Sequence, residues 1–209
     1  LPAVVDRYAL LDSGSALGRG NGQLLVRRRG DRSPIRRVAI PGELTTANAM
    51  LLRFFPSIVD RTPVLFSEIA AAVERGAFDA GVLIHEGRFT YERYNLELVA
   101  DLGALWERQT GLPLPLGGIV ASRELPAEVR RTFDRVLHDS IAYALEHPTV
   151  SRPFVREHAR ELDDEVIDRH IARFVNRYSL ALGEEGRRAV RELTGLPDLR
   201  LGWEPLHGS

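Results

Sequence analysis

Residues 37–84 read RVAIPGELTTANAMLLRFFPSIVDRTPVLFSEIAAAVERGAFDAGVLI, and this stretch decides the fold. Its short apolar runs stand at residues 38–40, 64–66 and 82–84. Two segments whose apolar residues recur at helical spacing separate these runs. The resulting βαβαβ order predicts a small parallel sheet with right-handed crossover connections.

The rest of the chain extends this unit on both sides. Further strand-like runs stand at residues 7–11, 23–27, 96–101 and 117–121. From Pro126 onward, apolar spacing predicts four helices, with little regular structure after Gly195. We therefore expect an α/β chain of two lobes. Residues 37–120 would form the second, α/β lobe, and residues 1–36 with 121–209 would form the first, which is helical in its C-terminal part.

Composition excludes several function classes. The net charge of −1 gives no basic excess for nucleic acid, and no apolar run approaches the ~20 residues of a membrane helix. The chain has no Cys, and all 28 of its basic residues are Arg. Thiolate chemistry, a Schiff-base Lys and a P-loop Lys are therefore absent from this sequence. We expect neither nucleic acid nor a membrane as a partner.

His85 is the candidate for proton transfer. It directly follows the apolar run 82–84, and ligands of open α/β sheets bind beyond the carboxyl ends of the strands. A His at that place can exchange protons near neutral pH. The alternative is a core His whose ring nitrogens are bonded to the backbone. A zinc-protease pattern fails here, because Phe89 occupies the place of the second His.

Four motifs carry a family resemblance. They are SGSALGRG at 13–20, PGELTTA at 41–47, IHEGRFTYERY at 84–94 and DLGALWERQTGLPLPLG at 101–117. In this order and spacing, the chain resembles the 1,4-dihydroxy-6-naphthoate synthase family of the futalosine pathway of menaquinone biosynthesis. The resemblance extends from about residue 6 to about residue 190. It implies a periplasmic-binding-protein-like fold with a ligand cleft between two lobes.

The resemblance also implies an activity. Members of this family are lyases that cleave cyclic dehypoxanthine futalosine to 1,4-dihydroxy-6-naphthoate, and the position of His85 is that of their catalytic base. The reaction needs neither a cofactor nor a metal, and the partner is a small-molecule carboxylate substrate. Two alternatives stay open: chorismate dehydratase of the same pathway, and a non-catalytic solute-binding protein of the same fold.

Thr45, Thr46 and Ala47 are the candidates for substrate oxygen atoms. They stand where a strand turns into a helix, and the first amides of a helix have no partner within it and bind anions. In the family, the matching Thr-Ala pair lines the site. The alternative is that one Thr is only an N-cap. The capping role and the binding role are compatible, with Thr45 as the N-cap and Thr46 facing the ligand.

Ile84, Tyr94 and Leu116 match apolar pocket positions of the family. A flat aromatic substrate favours such walls, although these residues would otherwise be interpreted as core. The segment LPLPLG at 112–117 is extended and stiff, which suits a wall.

The start of the family pattern is not found in this sequence. Members open with a strand, a loop and a helix, so we expect the gene to encode a further βα segment upstream of Leu1. Without it, the apolar stripe of Val129, Phe133, Leu137 and Ile141 would be partly exposed. A cytoplasmic location is expected, and a homodimer is left open.

Overall fold

The computed structural model describes residues 2–20, 22–84, 87–158 and 164–196. These residues divide into two compact units. The first unit draws on Leu1–Gly18 and Pro115–Ser209, and the second unit is Arg19–Leu114. The chain thus passes between the units twice, at Gly18 and at Leu114. Within the described ranges, no helix is both long enough and apolar enough to cross a membrane.

The regular elements of the described residues are short strands and mostly short helices. The strands are β1 (Tyr8–Leu10), β2 (Ala16–Gly18), β3 (Leu24–Arg28), β4 (Arg37–Ile40), β5 (Asp60–Pro63), β6 (Ala80–Leu83), β7 (Leu96–Asp101), β8 (Leu114–Gly117) and β9 (Val120–Ser122). The α-helices are α1 (Thr46–Phe54), α2 (Ile69–Glu74), α3 (Gly87–Thr90), α4 (Leu102–Thr110), α5 (Ala127–Glu146), α6 (Pro148–His158), α7 (Asp164–Phe174), α8 (Arg177–Leu180) and α9 (Gly183–Thr194). Single 3₁₀ turns lie at Pro2–Val4, Phe66–Glu68 and Tyr91–Tyr94.

The second unit is built on a five-stranded sheet of order β5-β4-β6-β3-β7. Strand β4 pairs in parallel with both β5 and β6. Strand β3 runs antiparallel between β6 and β7, and its first residue Leu24 lies opposite both Leu83 and Asp101. The carboxyl ends of β4, β5, β6 and β7 therefore lie along one edge of the sheet. We call this the carboxyl edge, marked by Ile40, Leu83, Asp101 and the start of β3 at Leu24.

Helices cover the sheet of the second unit. Helix α2 packs its apolar residues on β6, and α1 contacts both β6 and α4. The approach of α2 is close, because a Cβ at Gly81 would stand 2.5 Å from Cγ2 of Ile69. The core on this side comprises Leu24, Val26, Ala39, Ile69, Ala70, Val73, Leu83 and Leu96. Burial on both faces is what the continuous apolar runs of β4 and β6 predict.

The first unit has two strand pairs, β1 with β9 and β2 with β8, together with helices α5 to α9. Its N-terminal segment is bonded to distant helices. The amide of Ser13 donates to Oδ1 of Asp134 at 3.0 Å, and its hydroxyl donates to the carbonyl oxygen of Leu180 at 2.9 Å. The hydroxyl of Ser179 donates to the carbonyl oxygen of Ser15 at 2.9 Å. Residues 13–15 thus form a tight internal connection.

The apolar stripe on α5 is partly exposed. Phe133 is 51% exposed and Val129 is 47% exposed, whereas Leu137 and Ile141 are half-buried. Helix α5 itself matches the predicted helix from Pro126 to His147, since Pro126 and His147 are its two cap residues.

The boundary of the second unit differs from the predicted lobe of residues 37–120. The unit begins at Arg19 because β3 is inserted between β6 and β7, so this strand belongs to the α/β sheet. It ends at Leu114, before β9, because β9 pairs with β1.

Two predicted strands are also displaced. In place of the strand expected at residues 64–66, the structure has β5 at Asp60–Pro63. This edge strand is mostly exposed and polar, so it has no apolar run that would indicate it in the sequence. Residues 66–68 form a 3₁₀ turn instead. The strand expected at 117–121 is divided between β8 and β9. Gly118, between them, lies so close to Leu10 that a Cβ would stand 2.7 Å from that side chain.

Candidate functional site

The carboxyl edge brings together two of the predicted groups. Strands β4 and β6 are neighbours and parallel, with Val38 opposite Ala80 and Ala39 opposite Gly81. The segment that follows β4 begins α1 at Thr46, and the residue that follows β6 is Ile84. His85 lies outside the described residues, one position beyond Ile84. The amide of Gly87 donates to the carbonyl oxygen of Ile84 at 3.1 Å, which joins the described residues on either side of the pair 85–86.

Thr45 is the N-cap of α1. Its Oγ1 accepts the amide hydrogen of Asn48 at 3.2 Å and donates to the carbonyl oxygen of Gly42 at 2.7 Å. The hydroxyl of Thr45 is therefore occupied by bonds within its own turn, and the predicted capping role is confirmed. Thr46 and Ala47 are the first two residues of the helix, with Thr46 half-buried and Ala47 buried. Amides in the first turn of a helix point toward its N-terminal end, where negative charge is favoured.

Asn48 and Gln23 are buried amides that the sequence did not single out. Asn48 is 7% exposed, and its Nδ2 donates to the carbonyl oxygen of Glu43 at 2.8 Å. Gln23 is 5% exposed and immediately precedes β3 at the carboxyl edge. Oδ1 of Asn48 and Oε1 of Gln23 both lack a hydrogen-bond partner among the described residues. A buried acceptor without a partner is costly, so each of these oxygens calls for a donor from outside the described residues.

Arg88 is the first charged residue after His85 in the sequence that the structure describes. Its Nη1 donates to the carbonyl oxygen of Gly22, and its Nη2 donates to Oδ2 of Asp101 at 3.2 Å. The other carboxylate oxygen of Asp101 accepts the amide hydrogen of Ala104 at 2.9 Å and caps α4. The sequence signal for Arg88 was its place directly after His85-Glu86-Gly87, but its partners could not be read from that motif.

The remaining predicted residues are Tyr94 in the second unit and Leu116 in the first. Tyr94 ends a 3₁₀ turn and packs against the core of the second unit. It precedes β7, whose first residue Leu96 lies opposite Arg28, at the end of the strands away from the carboxyl edge. Leu116 is half-buried on β8 in the first unit. Within the second unit, the structure thus groups Thr45, Thr46, Ala47 and Ile84 at the carboxyl edge, whereas Tyr94 stands near the opposite end of the strands.

Metal ligands are not assembled in the described ranges. No group of three or more His, Asp or Glu side chains there could hold an ion.

Solved structures define the class of fold. The ligand-binding component of an ABC-type import system from Staphylococcus aureus matches with a TM-score of 0.58 at 10% identity. The match covers 90% of this chain and 66% of that protein. A sulfonate-binding protein of an ABC transporter from Methylobacillus flagellatus has a TM-score of 0.56 at 11% identity, covering 90% and 59%. The fold is therefore the α/β, periplasmic-binding-protein-like fold that the sequence predicted.

Closer similarities define the family. A family profile described as menaquinone biosynthesis matches residues 1–197. The 1,4-dihydroxy-6-naphthoate synthase of Thermus thermophilus is 48% identical over 192 residues, which span 91% of this chain and 70% of that protein. The Streptomyces coelicolor protein of the same name is 44% identical over 200 residues, spanning 92% and 71%. A crystal structure of a protein from Archaeoglobus fulgidus has a TM-score of 0.79 at 35% identity, covering 92% and 73%.

The chain belongs to the menaquinone biosynthesis family. The prediction that it is an enzyme of this pathway, of the kind named 1,4-dihydroxy-6-naphthoate synthase, is confirmed by these relatives.

Proposed function

We propose that this chain cleaves cyclic dehypoxanthine futalosine to 1,4-dihydroxy-6-naphthoate, with His85 as the general base. The observation that supports this most is the pairing of β4 with β6. This pairing brings the helix start at Thr46 and Ala47 to the same edge as Ile84, the residue before His85. A group that binds anions and a group that can accept a proton would then flank one ligand.

The chemistry that the proposal requires is simple. A neutral imidazole removes a proton from the substrate, and the electron pair that this releases drives carbon–carbon cleavage and loss of the former sugar portion. The carboxylate of the substrate would accept hydrogen bonds from the hydroxyl of Thr46 and from the first amides of α1, where the helix dipole favours negative charge. Ile84 would contribute an apolar contact at the same edge. Tyr94 and Leu116 remain predicted pocket residues.

The cellular setting is part of the proposal. The enzyme would act in the cytoplasm on a small-molecule carboxylate, without a nucleic acid or membrane partner, and a homodimer is compatible with it. Cell fractionation and the elution volume of the purified protein would test these points.

The test is the substitution His85→Asn. We expect turnover to fall by roughly 10²- to 10⁴-fold, as is usual when a general base is lost. Product is followed chromatographically in the purified protein, and circular dichroism verifies the fold. His138→Asn is the matched control, because His138 is an exposed residue of α5 and should leave turnover unchanged. A His85→Asn protein within a few-fold of the wild type would refute the proposal.

The same assay separates the alternatives. Chorismate supplied as substrate would be consumed if the chain were a chorismate dehydratase. A solute-binding protein would bind the cyclic compound in calorimetry and leave it unchanged over any incubation.

A further inference from the structure

Two buried amide side chains at the carboxyl edge each have an oxygen without a partner. Gln23 is 5% exposed and Asn48 is 7% exposed. Oε1 of Gln23 and Oδ1 of Asn48 accept no hydrogen bond from the described residues. Buried acceptors in folded proteins are nearly always paired, because an unpaired one loses its bonds to water and gains nothing in return. Two such oxygens at one edge of one sheet indicate a ligand that supplies the donors.

The amide group of Asn48 is held in one orientation. Its Nδ2 donates to the carbonyl oxygen of Glu43 at 2.8 Å, and the flipped amide would bring two oxygens together instead. Asn48 is the third residue of α1, and the side chains of a helix lean toward its N-terminus. Its Oδ1 therefore stands beside the first turn of α1, the end of the helix that follows β4 at the carboxyl edge.

Gln23 lies on the face of the sheet that α1 covers. Leu24 is opposite Leu83, so Gln23 is level with Ile84 at the end of β6. Leu24 belongs to the core beneath α2, and side chains alternate along a strand, so Gln23 points to the other face. Helices α1 and α2 lie on opposite faces, because their right-handed crossovers run in opposite directions across the order β5-β4-β6. The two amides therefore share one face and one edge.

The unpaired atoms define the chemistry of the group that they bind. Both are neutral acceptors, so they repel the oxygens of a carboxylate and attract an O–H donor. The first turn of α1, at the same edge, presents backbone amides and favours negative charge. The edge thus offers donors for an anion and, beside them, acceptors for hydroxyl groups.

We propose that Asn48 and Gln23 are specificity-determining residues whose side-chain oxygens accept hydrogen bonds from hydroxyl groups of the bound compound. This inference rests on the proposed function, in which the substrate has a former sugar portion and the product carries two ring hydroxyls. A compound that has the carboxylate but lacks hydroxyl groups leaves both oxygens unpaired and binds more weakly.

The binding experiment compares two ligands that differ only in their hydroxyl groups. They are 1,4-dihydroxy-6-naphthoate, kept under anaerobic conditions, and naphthalene-2-carboxylate. Calorimetry gives both Kd values for the wild type, Gln23→Met and Asn48→Leu. The ratio of the two Kd values isolates hydroxyl recognition, because both ligands carry the same carboxylate. We expect the wild type to prefer the dihydroxy compound by roughly 10- to 100-fold and each variant to lose roughly 3- to 10-fold of this preference, the contribution of one neutral hydrogen bond.

The chain offers matched controls for both substitutions. Gln109 is an exposed residue in the last turn of α4, and its Oε1 accepts a hydrogen bond from Nε of Arg53 at 2.8 Å. Asn176 caps α8, and its amide group is bonded on both sides: Nδ2 donates to Leu17 and Oδ1 accepts from Tyr178. Gln109→Met and Asn176→Leu should keep the wild-type ratio of Kd values, although the second should lower the Tm.

Thermal unfolding separates ligand recognition from a structural role. Gln23→Met replaces an unpaired buried acceptor by an apolar group of similar length, so its Tm should equal or exceed that of the wild type. A side chain that held the fold together would lower the Tm when replaced. If Gln23→Met fails to fold, Gln23→Leu takes its place, and Asn48→Asp, which keeps an acceptor oxygen, should retain more of the preference than Asn48→Leu.

Steady-state kinetics with the substrate identify which hydroxyl groups are bound. If they belong to the ring, the ratio of Kd values changes in the variants. If they belong to the former sugar portion, the KM for the substrate rises and the ratio stays. Either result supports the proposal.

A variant that leaves both the ratio and the KM at their wild-type values overturns the proposal for its residue. A lowered Tm of Gln23→Met with unchanged ratio and KM would show that this amide is structural. Because calorimetry requires no turnover, a fully active His85→Asn protein would overturn the proposed function independently of these ratios.

Discussion

The pair Thr45 and Thr46 allows stability and binding to be separated at adjacent residues. Thr45→Ala removes two bonds of the N-cap, the one accepted from the amide of Asn48 and the one donated to Gly42. Thr46→Val removes a hydroxyl from the first helical residue at nearly constant volume. We expect the first substitution to lower stability and the second to weaken substrate binding.

The magnitude for Thr45 follows from its bonds. Loss of a Thr cap costs about 1 kcal/mol, and loss of a further neutral hydrogen bond costs about another 1 kcal/mol. For a protein of this size, about 2 kcal/mol corresponds to a decrease in Tm of roughly 4–8 °C. Thr45→Ser keeps the hydroxyl and should recover most of the loss.

The magnitude for Thr46 follows from the charge of the ligand. A hydrogen bond to a charged group contributes ~1.5–3 kcal/mol, which corresponds to roughly 10- to 150-fold in affinity. Calorimetry with the product and thermal unfolding by circular dichroism measure the two effects on the same samples. A Thr46→Val protein that binds like the wild type would show that the Thr46 hydroxyl does not hold the ligand, and a Thr45→Ala protein with the wild-type Tm would show that the cap adds no stability.

Two further predictions concern the sheet of the second unit. Gly81→Ala should destabilise the protein by ~1–3 kcal/mol in denaturant unfolding, because its Cβ would stand 2.5 Å from Ile69; an unchanged midpoint would mean that α2 moves away freely. Burial raises the pKa of Asp79, but hydrogen bonds led by that from the amide of Arg37 outweigh it and hold the pKa below its ordinary value of 3.8. This carboxylate therefore stabilises the fold above pH 3.8, and its contribution is lost as the pH falls through the lowered pKa. Asp79→Asn should be less stable than the wild type at pH 7 and should approach it in acid, and a difference that is independent of pH would contradict this.

The sequence predicted those parts of the fold whose signal is local. Strands β4 and β6 are buried on both faces, so their apolar runs were visible, and Thr45 stands at the helix start where a cap residue is expected. Strand β5 was misplaced because an exposed edge strand needs no apolar residues. Strand β3 was recognised as a strand, but its place between β6 and β7 depends on pairing with residues far along the chain.

In the candidate site, too, the features with a local sequence signal were predicted and those that depend on distant contacts were not. The helix start at Thr46 and the strand end at Ile84 were predicted from local pattern, and parallel pairing placed them at one edge. Arg88 was missed because its hydrogen bonds to distant residues distinguish it, and Asn48 was missed because its buried oxygen without a partner distinguishes it. Gly22, which accepts a bond from Arg88, is 66 positions away, and the unpaired oxygen of Asn48 is visible only once burial is known.

The way the chain divides has a consequence for biosynthesis. The second unit is one uninterrupted segment, Arg19–Leu114, whereas the first is assembled from both sides of it. On the ribosome, the second unit can fold as soon as it emerges. Strand β1 must wait for β9, and Ser13 must wait for Asp134 and Leu180, which are synthesised more than a hundred residues later. Until then the N-terminal segment has unpaired backbone groups, so the nascent chain is most open to misfolding after the α/β unit has formed and before α8 is complete.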